Sequence, residues 1–553
     1  MQSSEVASSL KGDLDLNGND ILNVSDITTT TDRASLRTPG SGNGAVEIYD
    51  DAAEDWSMRA MEGTDQPGPV KFQSTIEGTT PADSDVPDLR VRGGVKMDDL
   101  TVNSWDVVDV TERGIKPGSD DDLGAFIQEH FNRQEPNESV IYYLPDGTYT
   151  WNTAVEADEF ATLGLVGKPQ ATVKCTNPEM PYFVRAGVDR PGYADIFIAQ
   201  DIEFDIQKSN VAASAMIVSV DEYLEMDHCR LVGEIDRIVP PYYSIHPTLL
   251  TETGQGFVNI AMPDGSFYDP DLTEQEHPMG LAIERNHQGY LVVENSDISG
   301  FINNGIYSAG HSGKVAIRNT SVTNCGAGNI RLGDGDFAYK CAITNTDAED
   351  RGYSYAALWV NKAHQAVADS IRINAQQRTP SELVRVGSDV DHCTLSNITI
   401  DSSANQYICD ISGNGSDRDL GRIVARNWTI YDSGSAQSNA HLGRITRSNV
   451  ILENWDVHMD PGSDGKRHGL LVDAPWLDVR GCSFNHTGGG LDLLLDDGAD
   501  HLRLKDCDFK SGQLYQYSRA TTEDAIVADN RFGDGMTLAG DQVNWTTRGP
   551  GFE

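Results

Sequence analysis

Three short segments of the chain combine residue types that can exchange protons. The first places Asp334 and Asp336 on either side of a glycine, with Lys340 shortly after them. The second is the segment 284–287, Glu-Arg-Asn-His, and the third is the segment 310–313, Gly-His-Ser-Gly. Two carboxyl groups roughly 5 to 9.5 Å apart can hydrolyse glycosidic bonds, and a base beside a cation can start an elimination. Asp334 and Asp336 are our candidate catalytic pair, although among 85 acidic residues such pairs also arise by chance in solvated turns.

Aromatic side chains cluster in two stretches, residues 233–280 and 344–388, where the repeat described below is interrupted. Insertions often project as loops that carry contacts, and aromatic rings in such loops can stack on sugar faces. The alternative is that these rings pack over the chain beneath them. The candidate glycan-binding residues are Tyr242, Tyr243, Tyr268, Trp359 and His364.

A short repeated pattern between residues 220 and 535 indicates the elements that position these candidates. Each copy reads apolar, any, Asn/Asp/Gly-like, small or sulfur-bearing, any, apolar, as in Val293–Ile298 and Ile317–Val322. The closing apolar residue recurs at positions 298, 322, 343, 430, 457, 484, 509 and 532. Alternation within each copy favours strands, and recurrence at steps of 21 to 27 residues predicts a solenoid.

The Asn, Asp or Gly of each copy predicts a sharp bend between two strands, because these residues best tolerate the left-handed conformation. The flanking residues then point inward and form rows about 4.8 Å apart along the stack. Ser296 and Thr320 occupy the inward position directly after the bend, and we assign five of the eight cysteines to it: Cys229, Cys341, Cys393, Cys482 and Cys507. We therefore expect buried thiols and not disulfides or metal ligands.

The balance of charge indicates the environment of the protein. The 553 residues include 85 acidic and 42 basic side chains, which gives a net charge of −43. An acidic excess spread over the whole length favours a protein that works in very high salt, where a Debye length of about 3 Å screens its self-repulsion. An ordinary acidic extracellular protein is the alternative. This charge has the wrong sign for binding nucleic acid.

Two targeting features are missing from the sequence. No stretch of 18 apolar residues is present, so we expect no membrane span. The first residues lack a basic region followed by an apolar run, so we expect no signal peptide.

Residues 1–110 lack the repeat and predict a small β domain. The segment Gly12–Val24 reads as a strand, an Asn-Gly turn and a second strand. It resembles the N-terminal segments of virus tail-fibre and spike proteins, where such a motif lies near the part attached to the particle. The resemblance implies that residues 1–110 anchor the protein and support its oligomerisation.

Residues 111–170 carry a second resemblance. Asp120–Gln128 starts a helix whose apolar face includes Leu123 and Ile127, and Val140–Tyr149 follows as strand, turn and strand. This order resembles the opening of the pectate-lyase-like right-handed parallel β-helix superfamily, which includes many virus tailspikes. In that superfamily the helix plugs the N-terminal end of the solenoid.

The resemblance implies an all-β fold with this organisation: a capping helix and first coil at 111–170, a β-helix at 171–535 with loop insertions at 233–280 and 344–388, and a C-terminal tail at 536–553. It is weak for activity, because the superfamily includes lyases, hydrolases, epimerases and proteins that only bind. The segment 310–313 is only faintly similar to the Gly-His-Gly element of polygalacturonases, and their accompanying acidic motifs are not found. No matching set of pectate-lyase calcium ligands is found either, so metal binding is undetermined and we expect no cofactor.

Together these features predict a spike or fibre on the surface of a virion that infects a halophilic archaeon. We expect it to bind host polysaccharide or glycosylated surface-layer protein, and to contact other virion proteins through its N-terminal domain. A homotrimer is expected, or a pentamer if it forms a capsid turret. The alternatives are a tailspike enzyme that cuts polysaccharide as a hydrolase or lyase, a cellular haloarchaeal carbohydrate-active protein, and a structural virion component. The sequence does not establish catalysis.

Overall fold

The chain folds into a parallel β-helix built from two sheets. The computed structural model describes residues 106–549 except 136, 178, 188–190, 207–213, 236–242, 267, 269–270, 272, 274–275, 347–355, 377–381, 404–406, 414–420, 435–439, 461–466, 488–489, 511–512, 519 and 534. The predicted N-terminal domain therefore lies almost entirely outside the described residues. Within the described part, sheet A has 27 strands and sheet B has 15, and every interstrand pairing given for them is parallel.

Sheet A bends in the middle of each coil and so has two columns of strands. Five long strands near its N-terminal end run through the bend, after a short first strand. These are β1 (Asp106–Asp109), β2 (Ser139–Thr150), β4 (Phe160–Lys174), β6 (Ala194–Asp205), β8 (Tyr223–Val232) and β10 (Gln255–Met262). Later coils have two separate strands. Those of the first column are β12 (Tyr290–Glu294), β15 (Lys314–Arg318), β18 (Phe337–Tyr339), β21 (Gln365–Asp369), β24 (His392–Ser396), β27 (Ile423–Arg426), β30 (Val450–Glu453), β33 (Leu477–Arg480), β36 (Arg503–Lys505), β40 (Ile526–Ala528) and β44 (Thr546–Arg548).

The second column of sheet A follows each bend. Its strands are β13 (Asp297–Ser299), β16 (Ser321–Thr323), β19 (Ala342–Asn345), β22 (Arg372–Ala375), β25 (Thr399–Ser402), β28 (Thr429–Asp432), β31 (Asp456–Met459), β34 (Ser483–His486), β37 (Asp508–Phe509) and β41 (Arg531–Phe532). A separate parallel pair is formed by β39 (Thr521–Glu523) and β43 (Asp541–Val543).

Sheet B contributes one strand to each coil. Its strands are β3 (Val155–Ala157), β5 (Tyr182–Ala186), β7 (Ser214–Val220), β9 (Tyr243–Leu249), β11 (Met279–Ile283), β14 (Asn304–Ser308), β17 (Gly328–Leu332), β20 (Ala356–Val360), β23 (Glu382–Val386), β26 (Tyr407–Ile411), β29 (Ala440–Ile445), β32 (Arg467–Val472), β35 (Leu493–Leu495), β38 (Leu514–Gln516) and β42 (Met536–Leu538).

The predicted bend is confirmed by the backbone of sheet A. Asn295, Asn319, Asn427 and Asn454 have φ between 46° and 57°, in the left-handed region. Their amides also connect the coils, because the Asn454 side chain donates to Asn427 Oδ1 at 3.2 Å and Asn427 donates to Asn397 Oδ1 at 3.1 Å. The corner therefore combines a conformation that Asn tolerates with a hydrogen-bonded ladder along the helix axis.

The predicted inward rows are confirmed and fill the core. The closing apolar residues pair across adjacent coils, for example Ile298 with Val322 and Phe484 with Phe509. The Trp428 and Trp455 rings stack with centroids 4.5 Å apart. Each indole N–H donates to a backbone carbonyl of the preceding coil, at 3.0 and 2.9 Å respectively, so neither ring leaves a buried donor unpaired.

All eight cysteines are buried thiols, as predicted for Cys229, Cys341, Cys393, Cys482 and Cys507. Cys229, Cys341, Cys482 and Cys507 lie directly after a left-handed corner residue, as Ser296 does. The assignment of Cys393 to the same position is wrong. Cys393 pairs with Ala366 and Ile423 in the first column of sheet A, so it reaches the core before the corner and not after it.

A helix covers the N-terminal end of the solenoid core. Helix α1 spans Leu123–Phe131, and its N-cap Asp122 accepts from Ala125 N at 3.3 Å and from Thr153 Oγ1 at 2.6 Å. Leu123 and Ile127 are fully buried against the first coils. The predicted turn in Val140–Tyr149 is instead a bulge, since β2 continues through it with a register shift between Pro145 and Gly147.

The strands also run through three segments that the sequence assigned to other roles. Residues 233–280 were predicted to be a loop insertion, yet they contain β9 and β10, each paired with the coils on either side. The same holds for residues 344–388, which contain β20, β21, β22 and β23. The predicted C-terminal tail, 536–553, contains β42, β43 and β44. The solenoid therefore continues to Arg548.

Candidate functional site

A row of charged and aromatic side chains runs along sheet B across six consecutive strands. Backbone register places these residues side by side, one from each strand: Tyr307, Arg331, Trp359, Arg385, Asp410 and Arg444. We call this set the Arg–Trp row. On β17, Arg331 lies between Ile330 and Leu332, which are fully buried in the core, so strand alternation turns Arg331 outward.

The centre of the Arg–Trp row is a stack of cations and rings. The Arg331 guanidinium carbon lies 4.8 Å from the centroid of the Tyr307 ring and 3.9 Å from that of Trp359. On the opposite side, Arg385 lies 4.8 Å from Trp359. Each distance is within the range of a cation–π interaction, so the Trp359 indole is held between two arginines.

Ion pairs and hydrogen bonds fix the arginines of the row. Arg331 donates to Asn361 Oδ1 at 3.0 Å, and Arg385 lies 3.3 Å from the Glu382 carboxylate. Arg444 binds Asp410 through two hydrogen bonds of 3.1 and 2.9 Å, and the hydrogen bonds to Asp410 raise the pKa of Arg444. Paired in this way, the guanidinium planes are oriented before a ligand arrives.

The turns that follow these strands form a polar rim beside the row. Asp334 accepts the backbone N–H groups of His364 and Gln365 at 2.8 and 2.9 Å. His364 Nδ1 lies 2.6 Å from Asp391 Oδ2, and this hydrogen bond raises the pKa of His364. The predicted residues Asp334, Trp359 and His364 therefore lie in adjacent coils on one side of the molecule.

The predicted carboxyl pair does not face a common cleft. Asp334 is half-buried on the rim, whereas the Asp336 side chain is fully buried. Asp336 accepts from Ser308 Oγ at 2.7 Å, from Gly333 N at 2.6 Å and from Val315 N at 3.0 Å. These bonds hold the turn together, and they leave Asp336 without access to a substrate.

The other two proton-exchanging segments meet inside the same turns. His287 and His311 are buried, and their rings meet edge to face at 5.4 Å. His311 Nε2 lies 2.9 Å from Ser308 Oγ, and Leu249 N donates to His287 Nδ1 at 3.2 Å. Burial, followed by the proximity of His311, lowers the pKa of His287 to about 3. The two histidines therefore form a buried polar core next to Asp336, in which His287 is uncharged at neutral pH.

The remaining predicted glycan contacts are spread along the solenoid. Tyr242 lies outside the described residues. Tyr243 donates to Glu284 Oε2 at 2.7 Å, and Tyr268 stacks on His277 at 5.6 Å. Four strand steps separate β9, which carries Tyr243, from β20, which carries Trp359, so the two lie about 19 Å apart along the axis. Such a separation corresponds to several sugar units and not to one.

The sequence prediction missed most of the Arg–Trp row. A usable signal was present, because in three consecutive sheet B strands the residue between two apolar residues is charged or aromatic: Ile330-Arg331-Leu332, Leu358-Trp359-Val360 and Val384-Arg385-Val386. These triplets recur at the coil step and are recognisable once the strands of sheet B are assigned.

Two further features of the described chain bear on function. Among its residues no group of three or more His, Cys, Asp or Glu side chains is arranged to hold a metal ion. Within the same residues no helix is long and apolar enough to cross a membrane.

Structural comparison found solved structures with some similarity to this chain. Similar structures include PfbA, a surface adhesin of Streptococcus pneumoniae, at 11% identity and a TM-score of 0.39, covering 79% of this chain and 93% of that one. Another is the Dettilon tailspike protein, at 10% identity and a TM-score of 0.34, covering 79% and 68%. A family 28 exopolygalacturonase of Yersinia enterocolitica follows, at 10% identity and a TM-score of 0.28, covering 80% and 77%. No protein-family model and no curated protein matches the sequence.

Proposed function

We propose that this protein is a surface spike of a virus that infects a halophilic archaeon, and that it binds host glycans through the Arg–Trp row. The observation that carries the proposal is the stack of Arg331, Trp359 and Arg385. The exposed edge of the indole can contact a sugar ring, and the flanking guanidiniums can bind carboxylate or sulfate groups in two-pronged geometry.

The concentration of arginines in the row supports an acidic ligand, because basic residues are scarce in the rest of the chain. Against 85 acidic residues the protein has 42 basic ones, yet the row places three arginines within six adjacent strands. Arginine is the preferred partner for planar anions, because its fork of N–H donors matches them. Glycans bearing uronic acids or sulfate are therefore the ligand class that this row favours.

The test combines binding and cleavage in about 1 M salt. Purified protein is incubated with haloarchaeal surface glycoprotein, with an alginate hexasaccharide and with uncharged maltohexaose, and both affinity and new reducing ends are measured. We expect Trp359→Ala and Arg385→Gln each to weaken alginate binding about 10-fold, as the loss of one ring contact or of one charge-assisted hydrogen bond allows. Arg372→Gln, on an exposed position of β22, is the matched control and should bind normally. Equal affinity for all these variants would exclude the row as the binding site.

A polysaccharide-cleaving enzyme is the second candidate, favoured by the rim. His364 and Asp391 form an exposed hydrogen-bonded pair beside Asp334, and such a pair can move a proton. Release of reducing ends by the protein, abolished in His364→Gln, would establish this function. Binding without cleavage would establish an attachment protein instead.

Attachment to the virion and oligomerisation complete the proposal. Residues 1–110 would hold the spike on the particle, in a trimer or, on a capsid turret, a pentamer. The mass of the purified protein in about 1 M salt, measured by light scattering, distinguishes these states. A monomer that binds glycans normally would contradict the assembly proposal and leave the binding proposal intact.

A further inference from the structure

A second left-handed corner appears in the last coils, where each turn enters the first column of sheet A. Its residues have φ between 54° and 63°: Asn449, Trp476, His501, Asp524 and Asn544. Asn and Asp tolerate this conformation because their short polar side chains form local hydrogen bonds. For a bulky aromatic residue the same conformation is an outlier. Trp476 is therefore held in a strained backbone at a position where asparagine would fit.

The strained tryptophan is also exposed and supported from one side. Trp476 is 42% exposed, and its ring stacks on His501 with centroids 4.1 Å apart and planes 19° from parallel. His501 Nδ1 lies 3.4 Å from Asp524 Oδ2, and Asn544 donates to Asp524 Oδ1 at 3.0 Å. One face of the indole is thus braced by a chain of three side chains. Strained residues that the surroundings hold in place are concentrated at ligand-binding sites.

We propose that Trp476 is a second glycan contact, which takes an uncharged pyranose. A rigid, half-exposed indole offers the flat surface on which the C–H face of a sugar packs at little entropic cost. Asp473, in the same turn, is an exposed carboxylate that can accept hydrogen bonds from sugar hydroxyls. The same carboxylate repels acidic sugars, so the ligand class differs from that of the Arg–Trp row.

This contact lies apart from the centre of the Arg–Trp row. Trp476 follows β32, which is four strand steps from β20 and therefore about 19 Å along the axis from Trp359. A branched or mixed glycan that spans this length can engage both sites. Such double engagement would raise the overall affinity more than either contact alone.

The test uses mannohexaose, β-1,4-galactohexaose and maltohexaose as uncharged probes, in about 1 M salt. We expect wild type to bind at least one of them, Trp476→Asn to weaken that binding at least 10-fold, and Trp476→Phe to keep it within about threefold. Tyr431→Ala, at an exposed aromatic residue of β28 that also stacks on a histidine, is the matched control and should leave binding of the uncharged probe unchanged. Trp476→Asn should also raise the midpoint of thermal unfolding, because it removes the backbone strain.

Three results would overturn the inference. One is that no uncharged probe binds wild type. Another is that Trp476→Asn lowers the unfolding midpoint and leaves binding intact, as a packing residue would. The third is Trp476-dependent binding to surface glycoprotein from which the glycans have been removed, which would indicate a protein partner. If alginate binding is retained in any of these cases, the proposal for the Arg–Trp row is unaffected, because the alginate experiment tests it separately.

Discussion

At the residue scale, two histidines three coils apart show opposite environments. His364 is exposed and bonded to Asp391, so its charged form is favoured. His287 is buried against His311 and the backbone, so its charged form is disfavoured. Desolvation lowers the pKa of a basic group, and a nearby carboxylate raises it. Each effect can be tested in a separate titration experiment.

The first experiment concerns His364. We expect Asp391→Asn to lower the pKa of His364 toward its ordinary value, because the mutation removes the carboxylate that stabilises the imidazolium. Asp389→Asn should change it much less, since Asp389 accepts from the backbone of Lys362 and not from His364. The pKa of His364 in both variants is measured by following its imidazole chemical shift by NMR across a pH titration. An unchanged pKa in Asp391→Asn would mean that the hydrogen bond does not persist in solution.

The second experiment concerns His287 and the stability of the fold in acid. Its pKa is about 3 in the folded protein and about 6.5 when unfolded, so between these values the unfolded chain binds the extra proton. Stability is therefore unaffected above pH 7 and falls as the pH drops through 6.5 toward 3. At pH 5 the loss is about 2 kcal/mol, from 1.36 kcal/mol per pKa unit.

Urea unfolding at pH 7 and pH 5, in constant salt, measures this loss. We expect His287→Asn to shrink the difference between the two pH values, although the variant itself is less stable at pH 7. Asn485→Ala, at a partly exposed position of β34 that carries no titratable group, is the control and should leave the difference unchanged. An identical pH difference in wild type and His287→Asn would show that another group carries the acid sensitivity.

At the element scale, the corner residues determine how much of the fold the sequence reveals. Where the corner is Asn, as at Asn295 and Asn427, the pattern was visible and the coil was placed correctly. Where it is Ser370, the same φ is adopted by a residue that carries no such signal, and the coils between 344 and 388 were predicted to be an insertion. Stacking on neighbouring coils holds Ser370 in place and overrides its local preference.

The candidate site was harder to predict than the fold. Trp359 and His364 were identified by residue type, but Arg331 and Arg385 were not, because an arginine on a strand is usually a solvated surface residue. Their significance depends on register between coils, which brings residues more than 20 positions apart into contact. Asp336 had the right residue type for catalysis, but in the folded chain its carboxylate points inward and holds a turn.

The corner ladder gives a prediction for Asn427. Replacing it with Gly keeps the left-handed conformation but removes the amide bonds to Asn397 and from Asn454. Replacing it with Ala removes the bonds and also introduces a backbone cost of about 1–2 kcal/mol. We expect both variants to be less stable than wild type, with Ala below Gly by about that amount. Equilibrium urea unfolding measures the order. An Ala variant as stable as the Gly variant would show that the corner relaxes out of the left-handed region.

At the scale of the whole molecule, salt should act differently on stability and on binding. With a net charge of −43, the folded chain repels itself, and we expect circular dichroism to show loss of structure as salt is removed. An acidic glycan bound to the Arg–Trp row is instead held by short-range contacts between its own groups and the side chains of the row. At about 1 M salt the Debye length is about 3 Å, so long-range attraction is already screened and direct hydrogen bonds and ring contacts remain.

Raising the salt from about 1 M to about 3 M should therefore increase the unfolding midpoint while changing the affinity for alginate by less than about threefold. Thermal unfolding and calorimetric titration on the same samples measure the two quantities. Full structure in dilute buffer would contradict the adaptation to high salt, and a steep fall in affinity would mean that the row acts as a diffuse positive patch. The two results are independent, because the first depends on the acidic residues of the whole chain and the second on three arginines and one tryptophan.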